Sequence, residues 1–138
     1  MFMATNKGTV KKTNLNDFNS ARKAGLIAMT LDDNEELIGV ELTDGSSEIV
    51  LATRRGLAIR FDEQDVRPMG RTAHGVRGIQ LNYGDEVVAM DSVTSENSEV
   101  LTATEQGLGK RTSVSEYRKQ TRGGKGVINI KVNERPAL

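Results

Sequence analysis

Short apolar runs alternate with polar, glycine-bearing segments along the chain, and the alternation itself recurs about every fifty residues. Met1 to Lys12 reads MFMATNKGTVKK, Ile49 to Arg60 reads IVLATRRGLAIR and Val100 to Arg111 reads VLTATEQGLGKR, with A-T-x-x-G common to all three. Thr5, Thr53 and Thr104 are separated by 48 and 51 residues, and Gly8, Gly56 and Gly107 keep the same register. A second anchor set, Gly25, Gly75 and Gly126, is spaced by 50 and 51, with Leu31, Leu81 and Val132 in step. Two independent anchors at one period identify a tandem repeat.

Within each unit the pattern predicts four short strands. The apolar run before A-T is one strand, x-x-G is a tight hairpin connection whose glycine takes positive φ, and the residues after it form the return strand. Asp62 to His74 is polar, contains Pro68 and lacks a helical period, so it reads as a long loop with a single helical turn. Val76, Ile79 and Leu81 mark a third strand, Asn82, Tyr83, Gly84 and Asp85 a turn, and Glu86 to Met90 the fourth strand. The first unit has its equivalent turn at Asp32, Asp33, Asn34 and Glu35, leading into Leu37, Ile38, Gly39 and Val40. Four strands in about fifty residues is the size of a propeller blade. The expected fold is therefore all-β and β-propeller-like, with blade-like repeats of four antiparallel strands at approximately 1–48, 49–99 and 100–138. The third unit reaches Asn133 to Leu138 where its fourth strand would begin, so an incomplete arc is expected. Its open faces and edges invite dimerisation or strand exchange, or mark an excised piece of a larger ring.

Composition agrees. Aromatic residues make up 4% of the chain and Trp is absent, so Val, Ile, Leu, Ala and Met are expected to build the core. Fourteen glycines against two prolines suit many short strands joined by tight turns. The absence of cysteine leaves no disulfide frame and no thiolate metal site. No apolar run approaches the roughly 18 residues of a membrane span, and no signal-peptide pattern opens the chain, so a soluble cytoplasmic protein is expected.

Formal net charge is zero, from 19 basic and 19 acidic residues, which would ordinarily argue against a nucleic-acid partner. The distribution changes that reading. Lys11, Lys12, Arg60, Lys110 and Arg111 all follow the hairpin at one repeat position. They are expected either to project toward the long loop as a binding rim or to protect strand ends from edge pairing, and the two roles are compatible. The long loop carries Arg22 and Lys23 in the first unit, Arg71 in the second and Arg122 in the third, the last two 51 residues apart. Its sharpest motif is Gln120, Thr121, Arg122, Gly123, Gly124, Lys125, Gly126. Glycines let backbone amides approach a phosphate while Arg122 and Lys125 neutralise it, a grip that reads no bases. The bland alternative is a flexible glycine turn with solvated charges.

Catalytic chemistry finds little support. His74 is the only histidine and reads as a loop residue, and no serine sits in a nucleophile elbow. Asp32, Asp33, Glu35 and Glu36 lack the spacing and glycine of a calcium loop, and Tyr83 and Tyr117 have no recognisable activating partner. No catalytic residue, metal site or cofactor is expected.

Longer strings carry a resemblance. FMATNKGTVKKT, ELIGVELTDG, AIRFDEQDVRPMGRTAHGVRGIQL and GLGKRTSVSEYRKQTRGGKGVINIKV are similar to consecutive interior repeats of the C-terminal domain of bacterial DNA gyrase A, across essentially the whole chain. The corresponding protein of topoisomerase IV is a close paralogue. The resemblance implies a β-pinwheel, a propeller variant whose blades exchange outer strands, usually six to a ring. It further implies a basic rim that wraps double-stranded DNA, supporting ATP-dependent negative supercoiling by the whole enzyme. The catalytic tyrosine and the ATP site would lie elsewhere, leaving this chain non-catalytic. Its implied partners are DNA, the rest of gyrase A and the companion protein gyrase B, in a bacterial cytoplasm. Gln120 to Gly126 matches the family's gyrase box, Q-(R/K)-R-G-G-(R/K)-G, except that Thr121 replaces the first basic residue. The family places its principal box in the first blade, whereas this one falls in a later blade. DNA-backbone contacts are accordingly expected from Lys11, Lys12, Arg22, Lys23, Arg60, Arg71, Lys110, Arg111, Gln120, Arg122, Gly123, Gly124, Lys125 and Gly126. The rival expectation is a protein-interaction propeller docking another part of a topoisomerase.

Overall fold

The computed structural model describes residues 1–19 and 25–131. Three antiparallel hairpins organise them: β1 (Phe2–Thr5) with β2 (Thr9–Lys12), β4 (Glu48–Thr53) with β5 (Leu57–Asp62), and β8 (Glu99–Ala103) with β9 (Gly109–Ser113). A-T-x-x-G builds each turn. The glycine N–H donates to the threonine carbonyl, Gly8 to Thr5 and Gly56 to Thr53 at 3.1 Å and Gly107 to Thr104 at 3.0 Å. The threonine hydroxyl then accepts the next amide, from Thr9, Leu57 and Leu108 at 3.3, 3.1 and 3.1 Å. Threonine is kept in the motif because its hydroxyl satisfies a donor that the turn would otherwise orphan.

Outer strands complete the sheets in two ways. β3 (Leu37–Glu41) pairs with β1, and β7 (Val87–Val93) pairs with β4, each within its own repeat. β6 (Val76–Arg77) and β10 (Val127–Ile128) instead cross to the preceding repeat and pair with β2 and β5. The resulting sheets run β3–β1–β2–β6 and β7–β4–β5–β10, with β8–β9 as a two-stranded third. Exchange of outer strands, implied by the resemblance, is thus present.

The third strand of a unit is shorter than its sequence pattern predicts. After Arg77, the amides of Gly78 and Ile79 both donate to the Gly8 carbonyl, at 2.8 and 3.3 Å, and the ladder stops. Asn129 and Ile130 do the same to Gly56, at 2.7 and 3.2 Å. We call these crossing segments straps. Each begins with a second-anchor glycine at positive φ, 110° at Gly75 and 81° at Gly126. A Cβ there would lie 2.4 Å from the Val10 carbonyl oxygen or 2.6 Å from that of Ala58, so only glycine admits so close an approach to the neighbouring hairpin.

The core lies between the first two sheets. Phe2, Val10, Ile49, Leu51, Ile59, Phe61, Val66, Ile79 and Val87 form one buried cluster. The Phe2 and Phe61 rings stand 6.3 Å apart between centroids, so phenylalanine joins the aliphatic residues expected there. The third hairpin contributes no such face: Leu101 is 78% exposed, whereas Val50, 51 residues earlier in the repeat, is 5% exposed. The helical content of the described residues is three 3-10 turns, Leu15–Phe18, Glu63–Asp65 and Val114–Glu116. The last two follow the return strands β5 and β9 and open the long loops.

Candidate nucleic-acid interface

The hairpin-end cations of the first two units point inward. Lys11 is fully buried, its Nζ donating to the Ala28 carbonyl at 2.7 Å and the Arg71 carbonyl at 2.5 Å. Desolvation, and secondarily the Arg71 charge, holds its ammonium below the usual lysine range. Lys110 makes the matching bond to Asn129, at 3.0 Å, and is exposed. Ile59, buried, fills the same position in the middle hairpin.

One residue on, the pattern repeats. Lys12 Nζ donates to the Glu63 carbonyl at 3.1 Å, and Arg60 Nη1 donates to the carbonyls of Val114 and Tyr117, both at 3.2 Å. Glu63 and Val114 are 51 residues apart, each opening a 3-10 turn of the following unit. Arg60 also pairs with Glu48 and, at 3.5 Å, with Glu96. The Glu48 hydrogen bond is the main cause that raises the Arg60 pKa, and the same bond lowers that of Glu48. Lys11, Lys12 and Arg60 therefore join units rather than project from a rim: their head groups are the donors that the next unit's loop carbonyls need. Arg111, at the Arg60 position, is 74% exposed and pairs with Glu99 at 2.9 Å.

The long loop behaves similarly at its arginine. Arg122 donates from Nη1 to the Arg77 carbonyl and from Nε to the Asp65 carbonyl, both at 3.0 Å. Arg71 Nη1 donates to the Ile27 carbonyl at 3.1 Å, and Ile27 precedes Arg77 by 50 residues. The glycine motif is knitted to the previous strap as well. Gly123 N–H donates to Gly78 at 2.7 Å, Gln80 N–H to Gly124 at 2.8 Å, and Gln120 N–H to Arg60 at 2.8 Å. The Gly123 amide thus serves the strap, where the sequence suggested a phosphate. Gly126 is held against Ala58. Lys125 alone of the motif's two cations stands exposed with no hydrogen bond or ion pair among the described residues. Arg22 and Lys23 lie outside the described residues.

Other exposed cations absent from the expected set share that freedom, and two of them recur at the repeat spacing. Arg67 and Arg118 are 51 apart, both exposed, and neither has an intramolecular polar partner among the described residues. The parallel bridges Lys12–Pro68 and Arg60–Lys119 place each at the end of the preceding return strand. Their common spacing was readable from the repeat. Lys119, next in sequence, pairs instead with Asp62 at 3.4 Å and Glu48 at 3.5 Å. His74, at the Lys125 position of the second unit, is 60% exposed with Nδ1 3.5 Å from Asp32 Oδ1. Tyr117 is buried and donates to Asn129 Oδ1 at 2.5 Å, while Tyr83 is fully exposed. Among the described residues no group of three or more His, Asp or Glu is placed to hold a metal, and no helix is long and apolar enough to cross a membrane.

The sequence model of the family described as DNA gyrase C-terminal domain, beta-propeller, matches residues 1–44, 47–94 and 98–135. The chain belongs to this family. The three matched stretches coincide with the three hairpin-bearing units, and relatives agree. DNA gyrase A of Escherichia coli (strain K12) is 51% identical over 138 residues, all of this chain and 16% of the relative. That of Haloquadratum walsbyi is 50% identical over 134 residues, 96% of this chain and 16% of the relative. The chain thus spans about one-sixth of the length of these curated relatives. Among solved structures, the C-terminal domain of DNA topoisomerase IV superposes with a TM-score of 0.88 at 36% identity, over 92% of this chain and 40% of that one. A DNA gyrase A C-terminal domain gives 0.81 at 31% identity, over 91% and 41%.

Proposed function

We propose that the chain is a non-catalytic module that binds duplex DNA through its phosphates without reading bases. Within a DNA gyrase A protein it would form part of the track on which a DNA segment wraps for ATP-dependent negative supercoiling. One observation carries this reading: Arg67 and Arg118 recur at one repeat position, exposed and without intramolecular partners among the described residues, with Lys125 in the same loop as Arg118. Cations repeated at a fixed structural period suit a ligand of regularly repeated charge, and among the described residues no counter-carboxylate pairs with them. Membership of the gyrase C-terminal-domain family supports the same choice.

The test is binding to a long duplex across a salt series. The logarithm of the affinity should fall linearly with the logarithm of salt, by about 0.9 per phosphate neutralised. Lys125→Gln should make that slope shallower by about one. Affinity indifferent to ionic strength refutes the proposal.

A second reading has its own observation. Leu101 and Leu108 on the third hairpin and Ile128 on β10 are 78%, 63% and 65% exposed, apolar side chains suited to docking the rest of gyrase A, gyrase B or a second copy. Charge reversal at Arg118 and Lys125 separates the readings, since it should abolish DNA binding and leave docking intact. Light scattering reads self-association directly.

A further inference from the structure

Arg71 and Arg122 occupy the repeat position where a phosphate ligand was expected, but their geometry describes a different task. Arg122 belongs to the third unit, and both carbonyls that it engages belong to the second: Asp65 in the 3-10 turn and Arg77 in the strap. A guanidinium is a planar fork whose donors leave in fixed directions, so two carbonyls held at 3.0 Å fix the turn and the strap relative to one loop. The bonds from Gly123 to Gly78 and from Gln80 to Gly124 run between the same segments. Arg71 repeats the contact one unit earlier, to Ile27. β6 has only two ladder residues, and its Arg77 carbonyl, left off the ladder, takes its donor from the next loop.

We infer that Arg71 and Arg122 are positioning residues that lock each long loop to the preceding strap, setting the pitch between units and thereby the spacing of Arg67, Arg118 and Lys125. The consequence for DNA rests on the phosphate-binding reading above; the locking itself does not. Removing a phosphate ligand changes how many counterions are released, whereas loosening a junction changes how well the remaining cations are aligned. The two roles therefore leave different signatures.

The experiment measures amide exchange and salt-titrated duplex binding on the 138-residue chain and on Arg122→Gln, Arg122→Lys and Lys125→Gln. Exchange is read at Gln80 and Gly123, with Leu51, in the centre of β4, as reference. Both Arg122 variants should speed exchange at Gln80 and Gly123 roughly tenfold, the loss of about one net hydrogen bond. Leu51 should not change. Their affinity should fall several-fold at every salt concentration with an unaltered slope, and lysine should not rescue, since it keeps the charge and loses the fork. Lys125→Gln should do the opposite, flattening the slope by about one without touching exchange. The inference is overturned if Arg122→Gln flattens the slope by about one with exchange unchanged, and Arg122→Lys restores the slope. If the unaltered chain shows no salt-dependent binding, the DNA reading fails, and the exchange comparison still decides whether Arg122 locks the junction.

Discussion

Replacing Arg60 by alanine should destabilise the chain by about 3 kcal/mol, and the figure follows from what the guanidinium touches. Arg60 is 5% exposed and joins Glu48 to the carbonyls of Val114 and Tyr117. Removing it leaves two carbonyls without their donor, each costing about 1–3 kcal/mol if water cannot replace it. One-sided loss of a buried ion pair costs about 3–5 kcal/mol at the extreme. Glu48, however, keeps Lys119 at 3.5 Å and is itself 18% exposed, which places the sum toward the lower end. Urea unfolding followed by circular dichroism is the assay. With a slope of about 1–3 kcal/mol per molar urea, the midpoint should drop by about 1–3 M. Lys12→Ala is the comparator. It loses one carbonyl bond and a 3.9 Å approach to Glu63, and should cost about 1 kcal/mol. A shift below about 0.5 kcal/mol for Arg60→Ala, accompanied by a salt slope shallower by one, would refute the structural role and return Arg60 to the phosphate contacts.

Two further outcomes test the junctions. Because its bond to Arg60 holds the Glu48 carboxyl below its ordinary value of 4.5, the ionised form stabilises the fold above that pH, and this contribution is lost as pH falls through the depressed native value. The urea midpoint of the unaltered chain should therefore lie above that of Glu48→Gln at pH 7 and converge with it in acid; curves that stay parallel reject the linkage. Gly75→Ala should cost more than about 3 kcal/mol, because φ strain accounts for about 1–2 and the new methyl also meets the Val10 carbonyl oxygen at 2.4 Å. Gly25→Ala, with φ at 79° and nothing within 4 Å among the described residues, should show the strain alone, so equal losses in thermal or urea unfolding would remove close approach as the reason for the anchor glycine.

The repeat was legible because its anchors are residues whose backbone roles leave no substitute. Threonine and glycine of A-T-x-x-G close the hairpin with two specific hydrogen bonds, and the second-anchor glycines sit where a Cβ would strike a carbonyl. Strand content followed from them; the family resemblance rested on longer strings, and the exchanged outer strands only on that resemblance. Strand lengths were less legible, since β6 ends where Gly78 and Ile79 compete for one acceptor, and no side-chain pattern encodes that competition. The destinations of the cations were least legible. Lysine and arginine carry long apolar stems, so a charge in sequence does not say where its head group ends. One clue was available: Lys11, Ile59 and Lys110 share a repeat position, and an isoleucine there marks an environment that buries the stem.

That ambiguity has a physical origin in the architecture itself. A strap that leaves its ladder after two residues presents the Arg77 carbonyl to the next unit's loop, the corresponding first-unit segment presents Ile27, and the 3-10 turns present Glu63 and Val114 to the preceding hairpin. Carbonyls left off a ladder take donors from side chains or water, and the side-chain donors that can reach across a junction are long, flexible and cationic. Each junction therefore recruits lysine or arginine from the hairpin on one side and arginine from the loop on the other, whatever the ligand. Repetition of a cation is accordingly not by itself evidence for a polyanion. What separates a phosphate contact from a junction donor is the absence of an internal acceptor among the described residues, a criterion that Arg67, Arg118 and Lys125 of the proposed DNA surface meet and that the more conspicuous Arg71, Arg122 and hairpin-end lysines do not.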